Sequence, residues 1–353
     1  MRSKLFLCAA AGALTLGLAS CDEDNDQLID LERNDEQLLV ASNTTAKLVK
    51  IQTADLDDVE RVDITVPYSD VDGIGLRGDD LFAADRTNDR LRLFADVFDD
   101  DNEEDVRLEA TFNEAQIPNA RGVAVNRDFT RSLVAVASVG DEDNDDDSDD
   151  DNRIFLLDAA RADIETEAIV RVPFQLWGLE WIGDDLYAVM DGTDSVAVYE
   201  DFDDASSTGD TAVLEPTYKF RVEGLTRTHG ITYGEDDILF LTDIGEAGSD
   251  RDGAIHVVPN FDIDAIQDEV RAGTLPLGRQ IRIAGASTFL GNPVDVAYDD
   301  DNNNLFVAER ARDGGRLIAF DMNEISDLAG ETVAREVIFN EEVAGASSVE
   351  YRD

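Results

Sequence analysis

Cysteine is nearly absent, with only Cys8 and Cys21 in 353 residues. Cys8 lies in an apolar amino-terminal run, so a chain that sheds this run keeps one thiol and can form no internal disulfide. Lysine is almost as scarce, at positions 4, 47, 50 and 219 only. No basic stripe exists that could neutralise phosphates, which excludes nucleic acid as a partner. His229 and His256 are the only histidines, and neither has a Ser or Cys at motif distance. A Gly-x-Ser-x-Gly elbow, a His-Glu-x-x-His pair and a phosphate loop are all missing. Beyond the first twenty residues no hydrophobic run approaches membrane-spanning length.

What the chain has instead is acid. Eighty Asp and Glu face 29 Lys and Arg, a formal charge of −51. In dilute buffer such a charge repels itself and loosens the compact state. At about 1 M salt the Debye length falls to roughly 3 Å and most of that repulsion is screened. Acid excess with scarce lysine resembles the proteins of extreme halophiles, and the acids are spread along the whole chain. The competing explanation is dedication to one cationic partner. Hydrophobic residues make up 43% of the chain, ample for a core.

The amino terminus reads as an export leader. Arg2 and Lys4 precede the short apolar run Leu5–Leu18, and Leu18-Ala-Ser-Cys21 follows. This resembles a bacterial lipobox, where signal peptidase II cuts and leaves a lipidated cysteine. The resemblance implies a lipoprotein signal peptide over 1–20, lipidation of Cys21, and an acidic flexible tether over 21–35. A membrane-anchored cell-envelope protein follows, periplasmic or surface-exposed, and a monomer is expected.

A repeated block sets the architecture. Its first strands are Val71–Leu76, Ala120–Val125, Leu176–Trp181 and Thr228–Tyr233, with weaker copies at Pro293–Tyr298 and Ala346–Tyr351. Their third positions are Gly73, Gly122, Gly178, Gly230, Asp295 and Ser348, spaced 49, 56, 52, 65 and 53 residues apart. Second and third strands follow most copies as short Val-, Ile- and Leu-rich runs bounded by Gly, Asp or Asn. Outer strands are predicted at Val106–Phe112, Glu167–Val172, Pro216–Val222, Gln280–Ile283 and Val333–Phe339. Asp262–Glu269 reads as a short helical insertion.

Such a unit cannot bury its own faces and must stack on copies of itself. The last copy has nothing after it, while Gln37–Ala41 and Lys47–Gln52 have second- and third-strand character with no first strand before them. Joining these fragments gives an all-β, six-bladed β-propeller over 36–353, closed by the C-terminal strand in the N-terminal blade. Five or seven blades, or a β-sandwich, are the alternative arrangements. Leu81-Phe-Ala-Ala-Asp-Arg-Thr-Asn-Asp-Arg-Leu-Arg-Leu-Phe94 resembles the NHL repeat, and Leu305–Arg310 running on to Arg316-Leu317 is a looser version. The resemblance implies the six-bladed fold and no single function.

Two groups of residues are candidates for chemistry. Asp72, Arg121, Trp177 and His229 each precede a third-position glycine, so they should meet at one mouth of the channel. They form either a pocket for a small polar ligand, with Arg121 as an anion fork, or a plug in which Asp72 pairs with Arg121 while Trp177 and His229 cap the channel. Gluconolactonase- and regucalcin-type enzymes are similar in layout and imply calcium-binding carboxylates and amides at these positions. Here only Asp72 matches in kind. The second group is the acidic run 141–152, in which Asp141, Asp143, Asp145 and Asp147 offer alternating oxygens. It is either a weak calcium site or a solvated loop. No other cofactor is expected. The sequence therefore predicts a ligand-binding or scaffold module for a small polar ligand or an envelope protein. The alternative is an envelope hydrolase or lactonase that uses the channel mouth.

Overall fold

The middle strands of each repeat are apolar at nearly every position, and the computed structural model shows why. Gln37–Ser42 and Leu133–Ser138 are buried at all positions, as happens only when neighbouring sheets cover both faces. Outer strands alternate instead. Glu165–Arg171 buries Ala168 and Val170, and Tyr218–Val222 buries Phe220 and Val222, with exposed or half-buried residues between. The structure describes residues 36–98, 107–112, 117–126, 132–140, 152–159, 164–209, 212–246, 248–325 and 328–352. The leader, the tether with Cys21, the runs 99–105 and 113–116, and Asp141, Asp143, Asp145 and Asp147 lie outside the described residues.

The described strands form six sheets, each built on an antiparallel blade of four strands, and two of them carry a short fifth strand. Blade one comprises Ala346–Arg352, Gln37–Ser42, Lys47–Gln52 and Arg61–Thr65, from the channel outward. Blade two comprises Val71–Arg77, Asp80–Asp85, Arg90–Ala95 and Arg107–Phe112. Blade three comprises Ala120–Val125, Leu133–Ser138, Arg153–Asp158 and Glu165–Arg171. Blade four comprises Leu176–Ile182, Asp185–Met190, Ser195–Tyr199 and Tyr218–Val222. Blade five comprises Ile231–Tyr233, Leu239–Asp243, Ala254–Val258 and Ile281–Ala284. Blade six comprises Pro293–Asp299, Asn304–Glu309, Arg316–Asp321 and Val337–Glu342. The predicted six-bladed propeller is the one observed, and its closure is as expected. Val40 sits opposite Val349 and Leu38 opposite Tyr351 in antiparallel register.

One predicted outer strand is divided in the structure. The run Val333–Phe339 is not one strand. The charged pair Arg335-Glu336 interrupts it, Thr332–Val333 adds in parallel to Ile281–Ala284 of blade five, and only Val337–Glu342 belongs to blade six. The helical insertion is present as Asp264–Arg271, with Ile266 and Val270 buried on blade four. After it the chain returns as Thr274–Leu275, parallel to Tyr218–Val222. Both additions cover backbone edges that would otherwise be open to pairing.

The core is divided into six hydrophobic clusters, one at each blade–blade junction. Strand periodicity does the sorting. Leu38 and Val40 pack toward blade six, while Leu39 and Ala41 of the same strand pack toward blade two. Each fully buried Phe or Leu in these layers contributes roughly 1.5–3 kcal/mol. Three blades end their second strand in a carboxylate, and in a fourth a carboxylate follows the strand directly. Asp85 accepts from the Asn88 amide and from Arg92 Nε at 2.6 Å. Asp243 accepts backbone N–H groups of Thr226, Arg227 and Gly245. Glu309 accepts from Gly291, Asn292, Ala311 and Arg312. Asp191 is the fourth. In Asp243 and Glu309 the carboxylate ties down the loop that feeds its blade's inner strand.

Candidate functional site in the central channel

The inner strands approach so closely that side chains must be omitted where they begin. A Cβ on Gly73 would collide with the carbonyl of Arg121, one on Gly122 with that of Trp177, and one on Gly178 with that of His229. Gly178 N–H donates to the His229 carbonyl at 3.0 Å, a direct bond between blades four and five. Where the glycines give way to Asp295 and Ser348, side chains make the link. Ser348 Oγ donates to Asp295 Oδ2 at 2.5 Å and accepts from Ile74 N–H at 3.2 Å, and Val349 N–H donates to the same Asp295 oxygen at 3.0 Å.

The four residues singled out from the sequence come together here, in a chain of contacts crossing blades two to five. Arg121 Nη1 donates to Asp72 Oδ2 at 2.5 Å, and Arg86 Nη1 lies 3.0 Å from the same oxygen. The Arg121 guanidinium sits 4.5 Å above the Trp177 ring. Trp177 in turn stacks on His229, 3.7 Å between centroids and 4° from parallel. His229 Nε2 is 3.2 Å from Asp191 Oδ1, which also accepts from Arg227 Nη2 at 2.7 Å. Asp72, Arg121 and His229 are all buried. A buried guanidinium and carboxylate hold each other at this separation, because removing either strands the other.

Burial pushes the His229 imidazole below its ordinary value, with the neighbouring Asp191 opposing only in part. His229 is therefore neutral at pH 7. Burial would raise Asp191, but the hydrogen bond from His229 and the nearby Arg227 charge outweigh it and hold the carboxyl low. An ionised Asp191 can only accept, so the imidazole proton resides on Nε2 and Nδ1 is an acceptor. Nδ1 has no hydrogen-bond partner among the described residues.

From Trp177 and His229 a cavity of about 800 Å³ runs along the inner strands toward the end where they finish. Ala124, Thr232 and Ala297 line its middle, with Tyr233 of blade five and Tyr298 of blade six on its wall. Asp295 borders it and is partly exposed there. Burial pushes the Asp295 carboxyl up to about 6 against the hydrogen bonds from Ser348 and Val349. Glu235, Asp300 and Asp301 gather near the mouth, and burial followed by the charges of Glu235 and Asp236 raises Asp300. Two arginines also border the cavity. Arg77 donates to Asp80 at 3.0 Å and to the Ala159 carbonyl, and Arg352 pairs with Asp79 at 2.9 Å.

Asp295 and Ser348 were visible in the sequence only as departures from the glycine of the repeat, which was the signal that their side chains do something there. Asp191 carried no signal of its own, because it stands 38 positions before His229. The other histidine, His256, is buried between Gln280 and Asp243 inside blade five, away from the channel. Among the described residues no three His, Cys, Asp or Glu side chains come together in a metal-holding arrangement.

The channel and its ring of blades define the class as a six-bladed β-propeller, and comparison with solved structures agrees. The chain resembles a structure described as the crystal structure of a nidogen/laminin complex. The TM-score is 0.58 at 12% identity, covering 90% of this chain and 98% of that one. It also resembles the hydrazine synthase of Kuenenia stuttgartiensis, with a TM-score of 0.56 at 13% identity, covering 90% of this chain and 86% of that one. In all, 839 chains of solved structures match, so the likeness shows a fold and no particular activity. No protein-family profile matches the sequence, and no curated protein matches it.

Proposed function

We propose that this protein is a lipid-anchored envelope propeller, adapted to high salt, that binds a small ligand in its central cavity. The observation that carries the ligand reading is the cavity itself. It is about 800 Å³, within the usual range for small-molecule sites, and one end is walled by the buried aromatic and ionic cluster. The lipobox-like Leu18-Ala-Ser-Cys21 and the NHL-like stretch Leu81–Phe94 support the anchored-propeller part of the reading. The charge of −51 supports the high-salt part. The nidogen/laminin neighbour belongs to a protein–protein complex, so a protein partner on the outer faces is compatible with the same role.

The test is thermal stabilisation of the full chain in about 2–3 M salt by a panel of cationic, neutral and anionic metabolites. Thr232→Trp, placed to fill the cavity, should abolish any stabilisation found. Stabilisation that survives Thr232→Trp would move the ligand site elsewhere. Release of a Cys21→Ala protein from the membrane fraction checks the anchor, and continued membrane association would refute it.

A further inference from the structure

The seam where the last strand completes the first blade is fastened differently from the other junctions. Of the six repeat positions four are glycines and one is Ser348, and none of these titrates. Between blades four and five the link is a backbone bond, from Gly178 N–H to the His229 carbonyl. Between blades six and one it is a carboxylate. Asp295 Oδ2 accepts from Ser348 Oγ at 2.5 Å and from Val349 N–H at 3.0 Å, both on the closing strand. Ser348 Oγ also accepts from Ile74 N–H, which extends the tie to blade two. The donors to Asp295 are all neutral. Burial outweighs their bonds and pushes the carboxyl up to about 6, and no neighbouring charge contributes. The elements packed around the seam carry Glu350 on the closing strand, Asp72 in blade two, His229 and Asp243 in blade five, and Glu309 in blade six. Of these His229 is neutral, Asp72 is paired with Arg121, and Asp243 and Glu309 hold backbone N–H groups.

We propose that Asp295 is a proton-controlled tie in the ring: protonated, it holds the closing strand to blade six, and ionised, it favours separation of that strand from the seam. The physical cause is the buried charge. An ionised Asp295 has no cation to face, and parting the seam returns it to water. Asp295 borders the channel cavity and is partly exposed there, so its proton passes to solvent through the channel. In the parted seam the carboxyl has its ordinary value of 3.8, below that of the closed seam. The opening equilibrium is therefore flat below about pH 4, rises as pH climbs toward about 6, and is flat again above, by roughly a hundredfold in all. The inference is independent of what the cavity binds.

The experiment is amide hydrogen exchange of the full chain in high salt, read by mass spectrometry and corrected for the intrinsic rate at each pH. Between about pH 4 and about pH 7, wild-type peptides covering Ala346–Arg352 and Gln37–Ser42 should lose protection by roughly tenfold to a hundredfold. The buried strand Leu133–Ser138 of blade three should change by less than about threefold over the same range. Asp295→Asn keeps the size and the acceptor for Ser348 and should remove the pH dependence at the seam. Ser348→Ala deletes a bond that favours the ionised carboxyl, so protection should go on falling to a higher pH than in wild type. Seam protection that does not change with pH, or a change that persists in Asp295→Asn, overturns the proposal. An equal loss in Leu133–Ser138 also overturns it, because the fold would then open as a whole and Asp295 would not govern the seam.

Discussion

The indole of Trp177 lies flat against the imidazole of His229, 3.7 Å between centroids and 4° from parallel. Blade four thus contributes one plane and blade five the other, and the guanidinium of Arg121 from blade three covers the indole. Three successive blades are bound by one stack at the channel axis.

That stack predicts the titration of His229. With only two histidines in the chain, its imidazole can be resolved by NMR in a His256→Gln background. The ring should remain the Nε2–H tautomer at pH 7 and protonate with a midpoint below 6.5, because burial disfavours the cation. Asp191→Asn removes the carboxylate that supports the charged form and should lower the midpoint further. A wild-type midpoint at or above 6.5 would contradict the assignment.

Asp295 predicts a pH dependence of opposite sense to that of ordinary acid denaturation. Its carboxyl is pushed up to about 6 from 3.8, so the native state holds the proton more tightly than the unfolded chain. The stability this adds is present below about pH 4 and is lost as pH rises through about 6. Asp295→Asn has no such loss. Relative to wild type, the variant should gain about 1–3 kcal/mol between pH 4 and pH 7 in urea unfolding. A difference that stays constant over that range would show that Asp295 is not protonated preferentially in the fold.

Two glycine substitutions should separate close approach from backbone conformation. Gly122→Ala drives a methyl into the Trp177 carbonyl, so the inner strands must part, at about 2–4 kcal/mol or more. Gly183 has φ of 63° in an open turn with nothing within 4 Å, so Gly183→Ala incurs only the left-handed conformation, about 1–2 kcal/mol. Equal costs in thermal unfolding would mean that the inner ring is looser than described.

Closure can be tested at Val349, which is 1% exposed in the junction between blades six and one. Val349→Asp places an unpaired charge there and should abolish cooperative unfolding or cost at least about 4 kcal/mol. Val213→Asp, at an exposed apolar position, is the control and should be nearly silent. A mild effect at Val349 would argue that the last strand is dispensable.

Much of the architecture was legible because it repeats. The glycines at 73, 122, 178 and 230 announced the inner strands, since only a backbone crowded on one side forbids a side chain at the same place in successive units. The half-blade at Gln37–Gln52 announced its missing strand by lacking one. Thr332–Val333 was not legible, because two residues carry no periodicity and their partner lies in another blade. The site was legible by halves. Asp72, Arg121, Trp177 and His229 share a repeat position and could be grouped without coordinates. Asp191 comes from a different strand and loop, and its partnership with His229 exists only in three dimensions. The cavity was likewise invisible, since it depends on the space that small residues such as Ala124 and Ala297 leave in the channel when six blades surround it.

The pairing of Val40 with Val349 also dictates a timetable. Roughly three hundred residues leave the ribosome between one half of that clasp and the other, and such distant contacts form slowly. The earliest sheet begun is the last to be finished, and until then its exposed flank must be tolerated or chaperoned. A chain cut short by even a few residues would lose the latch on which every blade before it relies.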